Sequence, residues 1–363
     1  MRVPSAPDML AAPRGRRFCL EVALAAEPAV ASVVADAERA FLPDDGSVGV
    51  LRATAGDDHA VAPPVGIAEV ARALRGIRTA AVDEVLVDDA AVLACLERTV
   101  TGARYWQPPD ERDMLAAQPE VRVALAAVVE RIVVDGVLAR WRASSFGSGW
   151  HVEFDGGGGE ASRSVPPAVV LSAWREETLR EEARRRDAVE ERGASGTWWS
   201  FPLGLPTVSD AFAGVPCGLA LVEDPLGWDR ALVTGARGAG RVLDLDEAGW
   251  VELCRRHPLD VTASRGADWG RATGREGAWV IPDWAEVAHE WSAVRLSIAK
   301  YLVLAGRPLM VDAERASLVA GWGPGVTRWL TDGVRLVGEP REWVREPTAD
   351  GDARWVPAAP PHG

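Results

Sequence analysis

The sequence predicts a mixed α/β or α+β protein of two domains, each with a small sheet and packed helices. Three observations lead there. Apolar residues make up 48% of a 363-residue chain, which is enough for a sizeable core and too long for one average domain of roughly 100–200 residues. Segments with the two-residue period of a half-buried strand are interspersed with segments at helical spacing. A Gly- and Pro-rich stretch, 156–167, interrupts both patterns near the middle and reads as a linker. The boundaries that follow are a flexible start over 1–16, a mixed α/β domain over 17–155, a linker with a charged helix over 156–195, a Trp-rich α+β domain over 196–345, and a disordered tail over 346–363.

In the first domain Phe18, Leu20, Val22 and Leu24 alternate with Arg17, Cys19, Glu21 and Ala23, which predicts a strand over Arg17–Ala25. Val30, Val33, Val34, Ala37 and Phe41 then repeat as a helix. Pro43-Asp44-Asp45-Gly46 stops it, and Val48–Ala53 reads as a second strand. Beyond Pro63-Pro64, helices are expected over Ile67–Ile77, Ala90–Val100 and Pro119–Asp135. Tyr105-Trp106-Gln107-Pro108-Pro109 forms an aromatic loop among them. Trp150, Val152 and Phe154 alternate with His151 and Glu153 as a strand.

The charged helix, Ala168–Arg192, carries a thin apolar stripe at Leu171, Trp174, Leu179 and Val189, the pattern of a surface or bridging helix. Strands are expected at Gly218–Glu223, Ala231–Thr234, Arg241–Leu245 and Ala278–Ile281. Asp246 reads as the N-cap of a helix bearing Trp250, Val251, Leu253 and Cys254. Asp283 caps a segment in which Trp284, Val287, Ala288, Trp291, Val294, Ile298 and Tyr301 keep helical spacing. Val294, Leu296 and Ile298 also alternate with Arg295 and Ser297, so a helix ending near Glu290 with a strand after it stands as the alternative. Ser317–Trp322 and Thr327–Thr331 read as a hairpin around Gly323-Pro324-Gly325.

Charge and motifs narrow the chemistry. A formal net charge of −13 argues against a general nucleic-acid or anionic-membrane surface. No run of about 18 apolar residues predicts a membrane span, and the first residues lack the apolar core of a signal peptide. Cys19, Cys95, Cys217 and Cys254 form no CxxC pair and read as buried free thiols. A cytoplasmic location is the expectation. Lys300 is the only lysine, so a phosphate-binding Walker loop, which needs one, is absent. His289-Glu290-Trp291-Ser292-Ala293 lacks the second histidine of a zinc helix, and no serine has the glycines of a nucleophile elbow. No metal or cofactor is predicted. The run from Thr234 to Gly240 reads as a hairpin loop, and Asp244-Leu245-Asp246 as a strand end with a helix cap.

What remains is tryptophan: sixteen, against two tyrosines and six phenylalanines. Either the core is built on indoles or a surface stacks on something. Two segments favour recognition. Trp198-Trp199 points indoles to opposite faces of an extended chain. The stretch from His257 to Trp284 sets Arg265, Asp268, Arg271 and Asp283 among Trp269, Trp279 and Trp284; arginine beside tryptophan is the pairing that holds planar or anionic ligands. Glu223, at a strand end, would supply a carboxylate to a cleft. The candidate ligand-binding residues are therefore Arg265, Asp268, Trp269, Arg271, Asp283, Trp284, Trp199 and Glu223. The plain alternative is a Trp-clamped loop with surface arginines. No catalytic set is identified.

The residues Pro258 to Arg265, Asp268-Trp269, Ile281-Pro282-Asp283-Trp284, Gly321-Trp322 and Trp329-Leu330, with Tyr105-Trp106 and the Pro-Pro-Asp after them, resemble an uncharacterised group of actinobacterial Trp-rich proteins. That resemblance implies no activity. The reading favoured is a module binding a protein partner or a small anionic ligand through its second domain. An enzyme on a nucleotide-like substrate, of ADP-ribosyl-transfer type, is the alternative: Arg265 and Arg271 would hold phosphates, Trp269 or Trp284 would stack on a base, and Glu223 or Asp224 would stabilise a cationic sugar centre. A structural or assembly subunit is the third.

Overall fold

A computed structural model describes residues 4–41, 66–141, 147–155, 165–188, 195–348 and 353–359. Mixed helix and sheet is what it shows, as the periodicities predict. The strand expected at Val48–Ala53, the breaks on either side of it and most of the 156–167 linker lie outside the described residues.

Up to Trp141 every described element is helical. From Pro4 on, the segment expected to be flexible is largely helical: Ser5 and Asp8 form a reciprocal cap on α1 (Ala6–Ala11), satisfying amides that the first turn leaves open. The strand expected at Arg17–Ala25 is instead part of helix α2 (Pro13–Ala26). Pro13 sits at its first position, where no N–H is needed. Arg14, Arg17 and Glu21 lie at helical spacing and are buried along with Phe18, Leu20 and Val22, so α2 is covered nearly all round. A helix buried on every side loses the amphipathic stripe that would reveal its period. Around it pack α3 (Pro28–Glu38), α4 (Ile67–Arg75), α5 (Thr79–Val87), α6 (Asp89–Thr101), α7 (Glu111–Ala117), α8 (Pro119–Ala124), α9 (Ala126–Asp135) and α10 (Val137–Arg140). The single helix expected over Pro119–Asp135 breaks at Leu125 into α8 and α9.

The sheet half begins with β1 (Ser148–Phe154), as expected. An eight-stranded sheet runs β14-β13-β5-β1-β2-β12-β9-β6. In it stand β2 (Thr207–Ser209), β5 (Arg230–Gly238), β6 (Val242–Asp244), β9 (Ala293–Leu296), β12 (Val326–Trp329), β13 (Val334–Pro347) and β14 (Ala353–Pro357). Only the β6–β9 pair is parallel among these. A four-stranded sheet has the order β10-β11-β8-β7, with β7 (Pro258–Asp260), β8 (Ala278–Pro282), β10 (Leu309–Met310) and β11 (Arg315–Ser317). A small hairpin joins β3 (Ala211–Phe212) to β4 (Val215–Pro216).

Several expected strands are corrected here. Gly218–Glu223 gives way to one helical turn, α11 (Cys217–Ala220). The Gly-rich run at 234–240 is the end of β5, and β6 beyond it pairs with β9, so no hairpin forms. Ser317–Trp322 and Thr327–Thr331 do not pair either. β11 and β12 belong to different sheets, and Gly321 and Gly325, at φ 80° and 74°, let the chain pass between them. The ambiguity after Asp283 resolves to one helical turn, α12 (Trp284–Val287), and then strand β9. The tail expected to be disordered forms β14 against β13, with Trp343 and Trp355 buried.

The charged helix, α13 (Pro167–Asp187), docks less by its stripe than by its charges. Leu171 is buried, yet Leu179 is exposed. Glu182 instead accepts from the N–H groups of Ala263 and Ser264, both at 2.8 Å, capping the open amides of α14 (Thr262–Thr273).

One apolar cluster runs from Met9 to Trp355, so the helical and sheet halves share a core. Five of its fully buried side chains are Trp250, Trp269, Trp279, Trp284 and Trp322, and a sixth buried indole, Trp329, sits in a small separate cluster with Val208, Ala236 and Ala293. Trp250, Trp284 and Trp322 meet at 5.8–5.9 Å between ring centroids. The indoles of Trp284 and Trp322 donate to the carbonyl and hydroxyl oxygens of Ser200, which removes the cost of burying them. At the other end, a Cβ on Gly238 would fall 1.8 Å from the ring of Trp329. Gly238→Ala is expected to destabilise by about 1–3 kcal/mol in urea unfolding; wild-type stability would contradict that packing.

Candidate functional site

Where the two halves meet, a cleft of about 560 Å³ opens. Its walls come from the start of α2, the α6–α7 loop, the end of α14, and the turn after α15 (Ile298–Leu304). Two glycines shape it. A Cβ on Gly15 would stand 2.2 Å from the carbonyl oxygen of Met9, so glycine lets α1 cross α2 closely, beside Arg14 and Arg16. Gly306, at φ 73°, lies under Tyr105, whose ring a Cβ would approach at 2.6 Å.

Five arginines line the cleft among the described residues: Arg14, Arg16, Arg104, Arg271 and Arg307. Most are matched. Arg14 binds Asp113 and donates to the Thr99 carbonyl at 2.8 Å; burial opposes its charge, but Asp113 together with Tyr105 and Tyr301 outweighs burial and raises its pKa. Arg104 faces Asp224, Arg307 faces Glu247 and Arg271 binds Asp268. Arg16 differs. Its Nη1 donates to the carbonyls of Leu10 and Ala11 at the end of α1, and among the described residues no carboxylate lies within ion-pair distance of it. Burial, with Arg122 and Arg14 nearby, pulls its pKa down to about 10, so it stays charged at neutral pH.

The polar atoms left over are all donors. Nε of Arg14, Arg16 and Arg307 and the hydroxyl of Tyr105 are buried without a hydrogen-bond partner among the described residues. Behind the cleft, Tyr301 donates to Glu223 Oε1 at 2.7 Å, and the Gly321 N–H donates to Oε2 at 2.6 Å. Burial pushes the Glu223 carboxyl up to about 8, against the pull of those hydrogen bonds and of Arg14. Tyr105 lies beside Tyr301 without a well-aligned bond to it; burial, and then Glu223, raise its pKa.

Of the residues named from sequence, Arg271 reaches this cleft and Glu223 lies behind its tyrosines. Trp269 and Trp284 are in the core, Trp269 donating to the Trp198 carbonyl at 2.7 Å. Trp199 packs edge-on to Trp198, and its carbonyl accepts from the buried Arg265 at 3.1 Å. Desolvation lowers the Arg265 pKa to about 10. Asp268 ties Ser195, Gly196 and Arg271 together, and burial raises its pKa. Asp283 caps α12 and pairs with Arg175 of α13. These residues fasten elements to one another rather than face a cavity. Sequence reasoning missed Arg14, Arg16 and Arg307. Its aromatic loop, Tyr105 to Pro109, does line the cleft apart from Trp106. The Trp106 indole donates to Asp224 at 2.8 Å, and its carbonyl accepts from Arg271.

Compared with protein families, curated proteins and solved structures, the chain finds no match in any of the three. No helix among the described residues is long and apolar enough to cross a membrane.

Proposed function

We propose that the protein binds a small anionic ligand in the cleft between its helical and sheet halves. The observation that carries this reading is the set of four buried donors without acceptors, on Arg14, Arg16, Arg307 and Tyr105, lining one cavity. An unmade buried hydrogen bond costs about 1–3 kcal/mol, and an acceptor-rich anion would recover it. Guanidinium groups suit phosphate or carboxylate oxygens in particular. The unmatched charge of Arg16 supplies attraction at a site where water screens little. Binding is favoured over group transfer because neither carboxylate that a cationic sugar centre would need lines the cleft: Glu223 stands behind Tyr301 and Asp224 accepts from the Trp106 indole.

The test is a titration with pyrophosphate and with ADP, against sodium chloride at matched ionic strength, read by thermal shift and intrinsic fluorescence. Wild type is expected to be stabilised by the anions beyond the salt control. Arg16→Gln is expected to weaken binding about tenfold or more. Because Arg16 also caps α1, Tyr105→Phe serves as a second variant that removes only an unpartnered hydroxyl; it should fold normally and bind more weakly. Anion effects equal to chloride, or identical affinities in all three proteins, would refute the reading.

A further inference from the structure

Lys300 is the only lysine in the chain and the only charged residue of α15, a helix otherwise made of apolar side chains and Tyr301. It is 8% exposed. It lines a second cavity, of about 230 Å³, where α15 meets α1 and the start of the helix Glu247–Arg256. Among the described residues its ammonium makes no hydrogen bond and no ion pair. A buried charge is costly unless something pairs with it, and a lysine ammonium can only donate. What the cavity lacks is therefore an acceptor.

Three carboxylates share the cavity, and each has another task. Asp8 accepts from the backbone N–H and the hydroxyl of Ser5. Asp246 accepts from the Gly249 N–H and caps its helix. Glu247 accepts from Arg307 Nη2. None pairs with Lys300, which is left as the unmatched charge. The cavity also adjoins the cleft: Ala11 and Arg307 line both. Arg307 holds Glu247 with one nitrogen, while its Nε is buried without a partner among the described residues. The cleft itself, at about 560 Å³, is of the size that holds an organic molecule rather than a bare ion, and Phe41 and Met114 give it apolar wall.

We infer that the Lys300 cavity is a second anion subsite, so that the ligand of the cleft carries two anionic groups at the ends of one largely apolar chain. One group takes the donors of Arg14, Arg16 and Tyr105. The other passes Arg307 and accepts from Lys300. This rests on the anion reading of the cleft and narrows it to elongated dianions, whose ends are carboxylate or phosphate.

Isothermal titration of the full chain with the straight-chain dicarboxylates from succinate to sebacate, each against the monocarboxylate of equal length at matched ionic strength, tests this. Over some stretch of the series the dicarboxylate is expected to bind about tenfold or more tightly than its monocarboxylate, at one ligand per chain. Lys300→Gln should bring that ratio close to one, and Arg16→Gln should weaken both classes. Because Lys300 is the only lysine, reductive methylation with formaldehyde and borohydride, read by mass on the peptide that carries it, checks the same point in wild type. The favoured dicarboxylate should slow that labelling more than its monocarboxylate does. Four results would each overturn the inference: no length preferred over its monocarboxylate, a preference that survives Lys300→Gln, two ligands per chain, or a Lys300 that formaldehyde does not reach or that no dicarboxylate protects. The reading of the cleft is judged apart from this, and stands if monocarboxylates or pyrophosphate bind and Arg16→Gln weakens them. If Lys300→Gln does not fold, the length series and the labelling of wild type decide.

Discussion

Glu21→Ala is expected to destabilise the protein by about 3–5 kcal/mol, enough to bring a chain of ordinary stability close to unfolding. Glu21 is 1% exposed in the middle of α2. It accepts from Arg17 Nε at 2.8 Å, Arg98 Nε at 2.9 Å and Arg112 Nη1 at 3.1 Å. Burial alone would raise its pKa, and Arg17, Arg112 and Arg98 outweigh it, holding the carboxyl below the usual range. Removing it leaves guanidinium groups from α2, α6 and α7 facing one another with less to balance them. Arg17 keeps Asp110 and Asp113. Arg98 and Arg112 are partly exposed and turn to water, which limits the loss. Replacing both members of the buried pair, Glu21→Met with Arg17→Met, is expected to cost less than the sum of the single changes, because neither member of that pair is left buried facing a missing partner. Urea unfolding of the two single variants and the double variant reads all of this. A loss below about 1 kcal/mol for Glu21→Ala would place the network with weak surface ion pairs instead. Glu21 has a lowered folded pKa, so its contribution is present above the unfolded carboxyl pKa and fades as pH falls through the folded one.

That network also explains what was legible in the sequence and what was not. Signals confined to a few neighbouring residues came through: Asp246 capping its helix, Asp283 capping α12, the β1 alternation, and Val294 to Leu296 as a strand. Each depends on local hydrogen bonding or on one buried face. The α2 helix did not come through, because its apolar and polar residues are both buried and the polar ones answer partners about 80–100 positions away, such as Asp113 and Arg98. The tail is hard to read for the converse reason: Pro, Arg and Glu dominate strands whose outer residues face water, and among the described residues of the pair only Trp343 and Trp355 are buried. The candidate site shares the problem. Arg271 was visible as an arginine among tryptophans. Arg14 and Arg16 looked like part of a loose start, and their position beside Tyr105 and Arg307 exists only once α1 folds over Gly15 and the two halves close on one core. Tryptophan abundance pointed to recognition, yet the fully buried indoles serve packing, their N–H groups satisfied in part by Ser200, Ser317 and the Trp198 carbonyl.

Glu223→Gln is expected to stabilise the protein at alkaline pH and to leave it nearly unchanged near pH 4.5. Glu223 is 8% exposed, and burial raises its pKa from 4.5 to about 8. Below pH 4.5 the carboxyl is protonated both folded and unfolded, so it contributes no pH dependence. Between 4.5 and 8 the folded chain holds a proton that the unfolded chain has released; stability therefore falls as pH rises through that window. Above 8 both states are ionised and the penalty is complete, on the order of a few kcal/mol. Gln cannot ionise, and its amide replaces the protonated acid: the oxygen accepts from the Gly321 N–H and the amine donates to the Tyr301 oxygen. Asp268 and Asp283 are also raised by burial, so wild type declines with pH for more than one reason. The difference between variant and wild type isolates Glu223. It should be near zero at pH 4.5, grow through pH 6 and 7, and level off above 8 in urea unfolding at each pH. A difference that stays flat would mean the carboxyl keeps its ordinary pKa, and Tyr301 and the Gly321 amide then hold it ionised. The same residue bears on the proposed ligand. An anion beside Arg14 and Tyr105 adds negative charge near Glu223 and favours its protonated form. Anion binding in wild type should then weaken as pH rises through 8, and Glu223→Gln should bind with less dependence on pH over that range.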